Sequence, residues 1–395
     1  MVRMRCREEQ APVGGTMREC IVSLRGWHPA LAQAELNALF PEGGVKQFSS
    51  PRLAQISTEL DNKELSIAAG IEAVFQNGVN TLWIDERTLL DEIEFHLTTH
   101  PHDGASCAVH AWKHGTGIAE CSRTLLAGNV GGILSRMGAS IDLEHPERTF
   151  GILLDSHSQS VTFGWLTNNG PRGDSSIERR ASQRPFFKPV SLEPRLARLA
   201  VNLACGPVSN GACLDPMTGT GGFTIEAVLS QRNAIGMDLD AEMIEGARRN
   251  LEWAGSDVDP FVQGDATSIR ESLPENGSVA FSGVVLDPPY GRNSHGSIGH
   301  SDLLEKTLAS AADVTMNGLV LILPSKPQQE CLNRALERSE RPDLKHYTWQ
   351  ELEEILERTA WIYQDAWYVA VHGSLGRVLV YATKASQDLL AQNLD

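Results

Sequence analysis

The chain has 395 residues, 41% of them hydrophobic and 21% charged, and carries a net charge of −16. That length predicts two or three domains, and the composition is that of a soluble globular protein, not of a disordered chain. No apolar run approaches the ~20 residues of a membrane-crossing helix, and the basic N-terminus lacks the apolar stretch of a secretory signal, so a cytoplasmic location is expected. Seven cysteines without any C-x-x-C pair argue against a zinc site and against a disulfide framework.

Residues 1–16 read as an extension. The first strand pattern is "ECIVSL", followed by "HPALAQAELNALF", whose apolar positions recur at helical spacing behind Pro29. A strand-like "LAQISTEL" and a helix-like "ELSIAAGIEAVFQ" complete a small α+β unit over 17–80. The pattern then runs "TLLDEIEFHL", "SCAVHAWKH", a helix-like "CSRTLLAGNVGGILSRMG", and two strand-like runs, "RTFGILLDS" and "SVTFGWL". Across 81–168 this succession, with the turn "SIDLEHPERTFGILL", resembles the THUMP domain of RNA-modifying enzymes, which implies an RNA partner.

Residues 169–190 are polar, rich in Gly, Pro and Ser, and predict a linker. Between Arg172 and Arg198 stand seven basic residues against three acidic ones, inside an otherwise acidic protein. A solvated linker and a phosphate-contacting neck both fit this excess. The overall acidity argues against nucleic acid in general, yet it is also what adaptation to a salty cytoplasm produces.

From 191 to 386 strands alternate with helices: "GACLD", "NAIGMDLD", "DPFVQGDA", "GVVLD", "GLVLILP" and the hairpin "WIYQDAWYVAVHG"/"RVLVYATK". This predicts a doubly wound, mostly parallel seven-stranded α/β domain behind the α+β module. The loop "LDPMTGTGGFTIEAVL" opens a helix after the first strand, and glycines 219, 221 and 222 let a ligand approach the main chain. Asp215 beside that turn is unsuited to a pyrophosphate and suited to an ammonium or sulfonium group. Asp238, Asp265 and Asp287 recur at later strand ends, where an open α/β sheet has its ligand crevice. Asp238 suits a ribose diol and Asp265 an exocyclic amine, although each alone also fits a turn or a helix cap. In "VVLDPPYGRN" the two prolines make a stiff turn that fixes Asp287 against Tyr290.

Together these stretches resemble Rossmann-fold methyltransferases that use S-adenosylmethionine, and "DPPY" resembles the loop of those that methylate an exocyclic amine. "RPFFKPVSLEPRLARLAVNL", "LDPMTGTGGFTIEA" and "LDPPYGR" resemble the archaeal tRNA (guanine(10)-N2)-methyltransferases; Met217 and Thr218 stand where that family often has an aromatic and a cysteine or serine. The resemblance implies cofactor contacts from Lys188, Pro189, Asp215, Met217, Thr218, Gly219, Thr220, Gly221, Gly222, Asp238, Asp265 and Ala266, and a catalytic loop of Asp287, Pro288, Pro289 and Tyr290. It also implies a tRNA partner, with mono- or dimethylation and an activating subunit left open.

Arg179, Arg180 and Arg184 of the neck, with Arg292 and Arg377, are candidate phosphate contacts; a surface salt bridge is the alternative for the last two. His96, His100 and His102 cluster without an acid or cysteine to complete a metal site, so no metal is expected. Other readings of the chain are a methyltransferase for another tRNA or ribosomal guanosine, a DNA adenine-N6 methyltransferase, and a non-catalytic RNA-binding protein. A thiouridine synthase is excluded by the lack of an S-G-G-x-D-S loop.

Overall fold

The computed structural model describes residues 18–41, 44–58, 63–167, 175–188, 192–273, 280–289, 299–328 and 332–385. Its first elements are β1 (Arg18–Leu24), α1 (Pro29–Leu39), β2 (Val45–Gln47), β3 (Leu53–Thr58), α2 (Lys63–Ile67), β4 (Ile71–Leu82), α3 (Glu86–Thr99), β5 (Cys107–His114), α4 (Arg123–Arg136), β6 (Arg148–Asp155) and β7 (Ser160–Leu166). Their strands form a seven-stranded sheet in the order β2-β3-β1-β4-β7-β6-β5. β5 and β6 are parallel, as the helical crossover through α4 requires, while β7 is antiparallel to both β6 and β4.

One expected element is corrected here. The helix-like stretch from Glu64 to Gln76 is a short helix that stops at Ile67, and β4 then begins at Ile71. Buried Glu35 of α1 accepts the backbone N–H groups of Ala69 (2.8 Å) and Gly70 (2.7 Å), which draws this segment out of the helix. The following "IEAVF", rich in β-branched and aromatic residues, suits a pleated strand.

By compactness the described residues fall into two units: those of 18–21, 55–58 and 74–167, and those of 22–54, 63–73 and 175–385. The segment 17–80, expected as one domain, is thus divided, because α1 packs against the helix that opens the C-terminal half. In the first unit, α3 and α4 contribute Leu89, Ile93, Leu126 and Val130 to a core shared with Phe150, Phe163 and Trp165 of β6 and β7. Phe75 stacks on Trp112 at 5.4 Å.

The second unit continues with α5 (Pro194–Cys205), β8 (Ala212–Asp215), α6 (Gly222–Leu229), β9 (Ala234–Asp238), α7 (Ala241–Trp253), β10 (Phe261–Gln263), α8 (Ile269–Ser272), β11 (Phe281–Leu286), α9 (His300–Ala312), β12 (Thr315–Ser325), α10 (Trp349–Arg358), β13 (Trp361–His372) and β14 (Leu375–Lys384). The sheet order is β10-β9-β8-β11-β12-β14-β13. Strands β8 to β12 are parallel, and β14 runs antiparallel to both β12 and β13. β11 is buried along its whole length, which is why "FSGVVL" is nearly continuous in apolar or small residues. Leu31 of α1 joins Leu196, Leu199 and Leu203 of α5 in one cluster, and Asn202 donates to buried Glu35 at 2.7 Å. No helix among the described residues is long and apolar enough to cross a membrane.

The chain runs from β8 outward to β9 and β10, then returns to lay β11 on the other side of β8. This is a topological switch point, and the crevice beyond the carboxyl ends of β8 and β11 is where such sheets take their ligands.

Candidate active site

Asp215 is the last residue of β8 and is buried. Its Oδ2 accepts from the hydroxyls of Thr218 (2.7 Å) and Thr224 (3.2 Å), which fold the following loop back around the carboxylate. Its Oδ1 is buried and has no hydrogen-bond partner among the described residues. Burial pushes Asp215 up to about 7; the two threonine hydroxyls pull the other way, and the charges of Asp238 and Asp287 add to the rise.

The loop itself is set by backbone contacts. Thr218 N–H donates to Met237 O at 2.7 Å and Gly219 N–H to Asp238 Oδ2 at 2.9 Å, tying the loop to the end of β9. Gly219 (φ +52°) and Gly221 (φ +84°) take left-handed backbone that favours glycine, and Gly221 precedes α6 without any side-chain cap. Beneath the loop, a Cβ at Gly236 would lie 2.5 Å from Thr224 Oγ1 and 2.8 Å from Thr218 Oγ1, so only glycine leaves room for the threonines that hold Asp215. Met217 packs on the core of this unit, and Thr220 is buried.

The other strand ends bring more carboxylates to the same edge. Asp238 ends β9, and its Oδ1 accepts the N–H of Asp240 at 2.9 Å. Asp265 follows β10 as the cap of a 3-10 turn, its Oδ1 accepting Thr267 N–H and Oγ1 at 2.8 Å each, next to buried Ala266. Asp265 is itself exposed. Asp287 follows β11 directly, with Pro288 buried behind it. Tyr290, Pro189 and Arg292 lie outside the described residues.

The basic residues depart most from expectation. Arg179 and Arg184 are not presented to solvent: Arg179 is paired with Glu226 of α6, a fully buried carboxylate that also takes Arg198 at 2.8 Å, and Arg184 is buried with its Nε donating to Arg179 O. Arg180 alone of the three is exposed. Arg377 is corrected as well: it is buried beside Asp287, with Nη2 3.9 Å from Oδ2. A buried guanidinium engaged with a carboxylate has little to offer a phosphate. Lys188 lies 5.1 Å over the Phe186 ring and reaches Glu242 of α7 at 3.5 Å.

Comparison with known proteins bears on this arrangement. Residues 181–352 match the model described as UPF0020, RMKL-like, methyltransferase domain. This stretch is therefore similar to the methyltransferase domain of that family. A tRNA (guanine(10)-N2)-dimethyltransferase of Pyrococcus abyssi is 33% identical over 196 residues, covering 50% of this chain and 56% of its own. Proteins of the same name from Methanothermobacter thermautotrophicus and Methanocaldococcus jannaschii are 41% and 40% identical, each over 29% of this chain and over 32% and 33% of their own. The matched stretch thus spans about half the length of the first relative and about a third of the other two.

Within the second unit the structure reveals positioning residues that the motifs do not mark. Asn250 of α7 clamps Phe186 by both backbone groups, accepting its N–H and donating to its carbonyl at 2.9 Å each, and donates to Thr220 O at 3.0 Å. One buried amide therefore fixes the segment leading to Lys188 against the loop that follows Asp215. The pairing spans 64 residues of sequence, so no local pattern signals it.

Proposed function

We propose that the chain is a cytoplasmic S-adenosylmethionine-dependent tRNA guanine-N2 methyltransferase, acting on the guanosine at position 10. The observation that carries this reading is the pair of carboxylates, Asp215 and Asp287, at the ends of the adjacent strands β8 and β11, one on either side of the switch point. The names of the archaeal relatives support the choice of tRNA and of guanine.

The residues fit the cofactor. The partnerless Oδ1 of buried Asp215 calls for a cationic or hydrogen-bond-donating group, and Gly219 of the following loop borders open space. S-adenosylmethionine would bring such charge and an electrophilic methyl carbon. Asp238 would hold the ribose, Asp265 and Ala266 the adenine, and Lys188, Pro189 and residues Met217 to Gly222 the remaining walls.

The guanine amine is a weak nucleophile because its lone pair is delocalised into the ring. Asp287 and the Pro288 carbonyl would accept its two N–H groups and turn the lone pair toward the methyl carbon, and such positioning supplies up to roughly 7–11 kcal/mol in the best cases. As the N–C bond forms and the S–C bond breaks, the nitrogen sheds one proton, which Asp287 is placed to accept. Tyr290 would stack on the base, which must leave its helix to arrive there. The residues of 81–168 would act as a THUMP domain that grips the tRNA, with Arg292 and the exposed Arg180 on its phosphates.

The test is parallel incubation of labelled S-adenosylmethionine with tRNA transcripts, ribosomal RNA and DNA, followed by mass spectrometry of nucleosides and of nuclease fragments that locate the label. N2-methylguanosine or its dimethyl form at position 10 is expected. Label confined to ribosomal RNA or to DNA adenine, or absent from all three, refutes the reading.

A further inference from the structure

Arg377 lies on β14, held by backbone pairing on both sides, opposite Pro324 of β12 and Val369 of β13. β11 is on the far side of β12. At about 4.8 Å per strand, the side chain must cross roughly 10 Å of sheet to approach the residue that follows β11. It makes that crossing: Nη2 stands 3.9 Å from Asp287 Oδ2, with the two side chains only 8% and 19% exposed.

A guanidinium withdrawn this far from water carries a desolvation cost that an exposed ion pair does not. The local charge gives it a purpose. Asp287 shares its edge of the sheet with Asp215 at the end of β8 and Asp238 at the end of β9, and Asp215 feels the charge of both. Like charges converging on one crevice favour protonation, and a protonated Asp287 could not take the departing proton. Arg377 brings the opposite charge to that carboxylate from a strand that cannot shift.

We propose that Arg377 is a positioning residue of the methyl-transfer site, holding the Asp287 carboxylate ionised and oriented for the substrate amine. It acts through Asp287 and not on tRNA phosphate. The proposal rests on the reading that Asp287 receives the amine.

The experiment is the rate of tRNA methylation from about pH 5 to 9 for wild type, Arg377→Met and Arg377→Lys, with saturating cofactor and varied tRNA. Without the guanidinium, Asp287 binds its proton more tightly, so the acidic limb of kcat for Arg377→Met should move up by about 1–3 pH units. The rate should recover toward wild type at high pH, and KM for tRNA should stay within about threefold. Arg377→Lys, which keeps the charge, should restore most of the limb.

An unmoved limb with a raised KM for tRNA would make Arg377 a phosphate contact and overturn the proposal. Uniform loss at every pH together with a lowered melting temperature would make it a structural residue and overturn it equally. A wild-type protein that methylates no tRNA defeats the functional reading and the proposal with it; an active wild type with an unmoved limb in Arg377→Met defeats only the proposal.

Discussion

Arg179 grips Glu226 with two hydrogen bonds, Nε to Oε1 at 2.8 Å and Nη2 to Oε2 at 3.1 Å, and Glu226 is fully buried on α6. The basic neck is therefore partly an internal electrostatic anchor. Arg179→Ala should destabilise the protein by about 2–3 kcal/mol in urea denaturation, less than a full orphaned charge costs because Arg198 remains on Glu226. Arg180→Ala should leave the denaturation midpoint unchanged while weakening tRNA binding and making its salt dependence shallower. Unfolding curves and filter binding separate the two roles, and a stability loss in Arg180→Ala with none in Arg179→Ala would reverse the assignment.

Asp215 makes the ligand-free protein pH-sensitive. Its folded value is raised to about 7 from an ordinary value of 3.8, so its contribution to stability is complete below the ordinary value and is lost as pH rises through 7. Asp215→Asn removes that loss. The variant should match wild type near pH 4 and exceed it at pH 8 by on the order of 2–4 kcal/mol, while binding S-adenosylmethionine far more weakly. Thermal unfolding and calorimetric titration at the two pH values check both halves; equal stability at pH 8 would mean that the carboxylate is not strained by burial.

Asn250→Ala releases three hydrogen bonds at once, two to Phe186 and one to Thr220 O. Each buried group left unsatisfied costs ~1–3 kcal/mol, some of which water recovers at the partly exposed segment. A loss of about 2–4 kcal/mol in total stability is expected, together with a raised KM for the cofactor, since the loop and the Lys188 segment lose their common clamp. Unchanged cofactor KM would show that the clamp serves folding alone.

Much of this arrangement was legible in the sequence. Short apolar runs followed by acids mark the parallel strands of the second sheet, and Asp215, Asp238 and Asp287 stand at or just past the ends of β8, β9 and β11. The glycine loop was legible for the same local reason. Contacts made across long stretches of chain were not. Glu35 reads as an ordinary polar residue of α1, yet it is buried against Asn202, 167 positions away. A sequence lists Arg179, Arg184 and Arg377 as positive charges without saying which of them face water, and folding turns all three into partners of protein groups. The apolar spacing from Glu64 to Gln76 suits a helix, whereas Glu35 captures the backbone at Ala69 and Gly70 and ends it.

The central claim is that Asp287 receives the guanine amine while the β8 loop holds the cofactor. The most direct measurement is single-turnover methylation of tRNA transcript by wild type and Asp287→Ala, with cofactor affinity measured on the same preparations. The account predicts N2-methylguanosine from wild type, a loss of about 10²–10⁴-fold in the variant, and cofactor affinity within a few-fold of wild type. Equal methylation rates in the two proteins would contradict it.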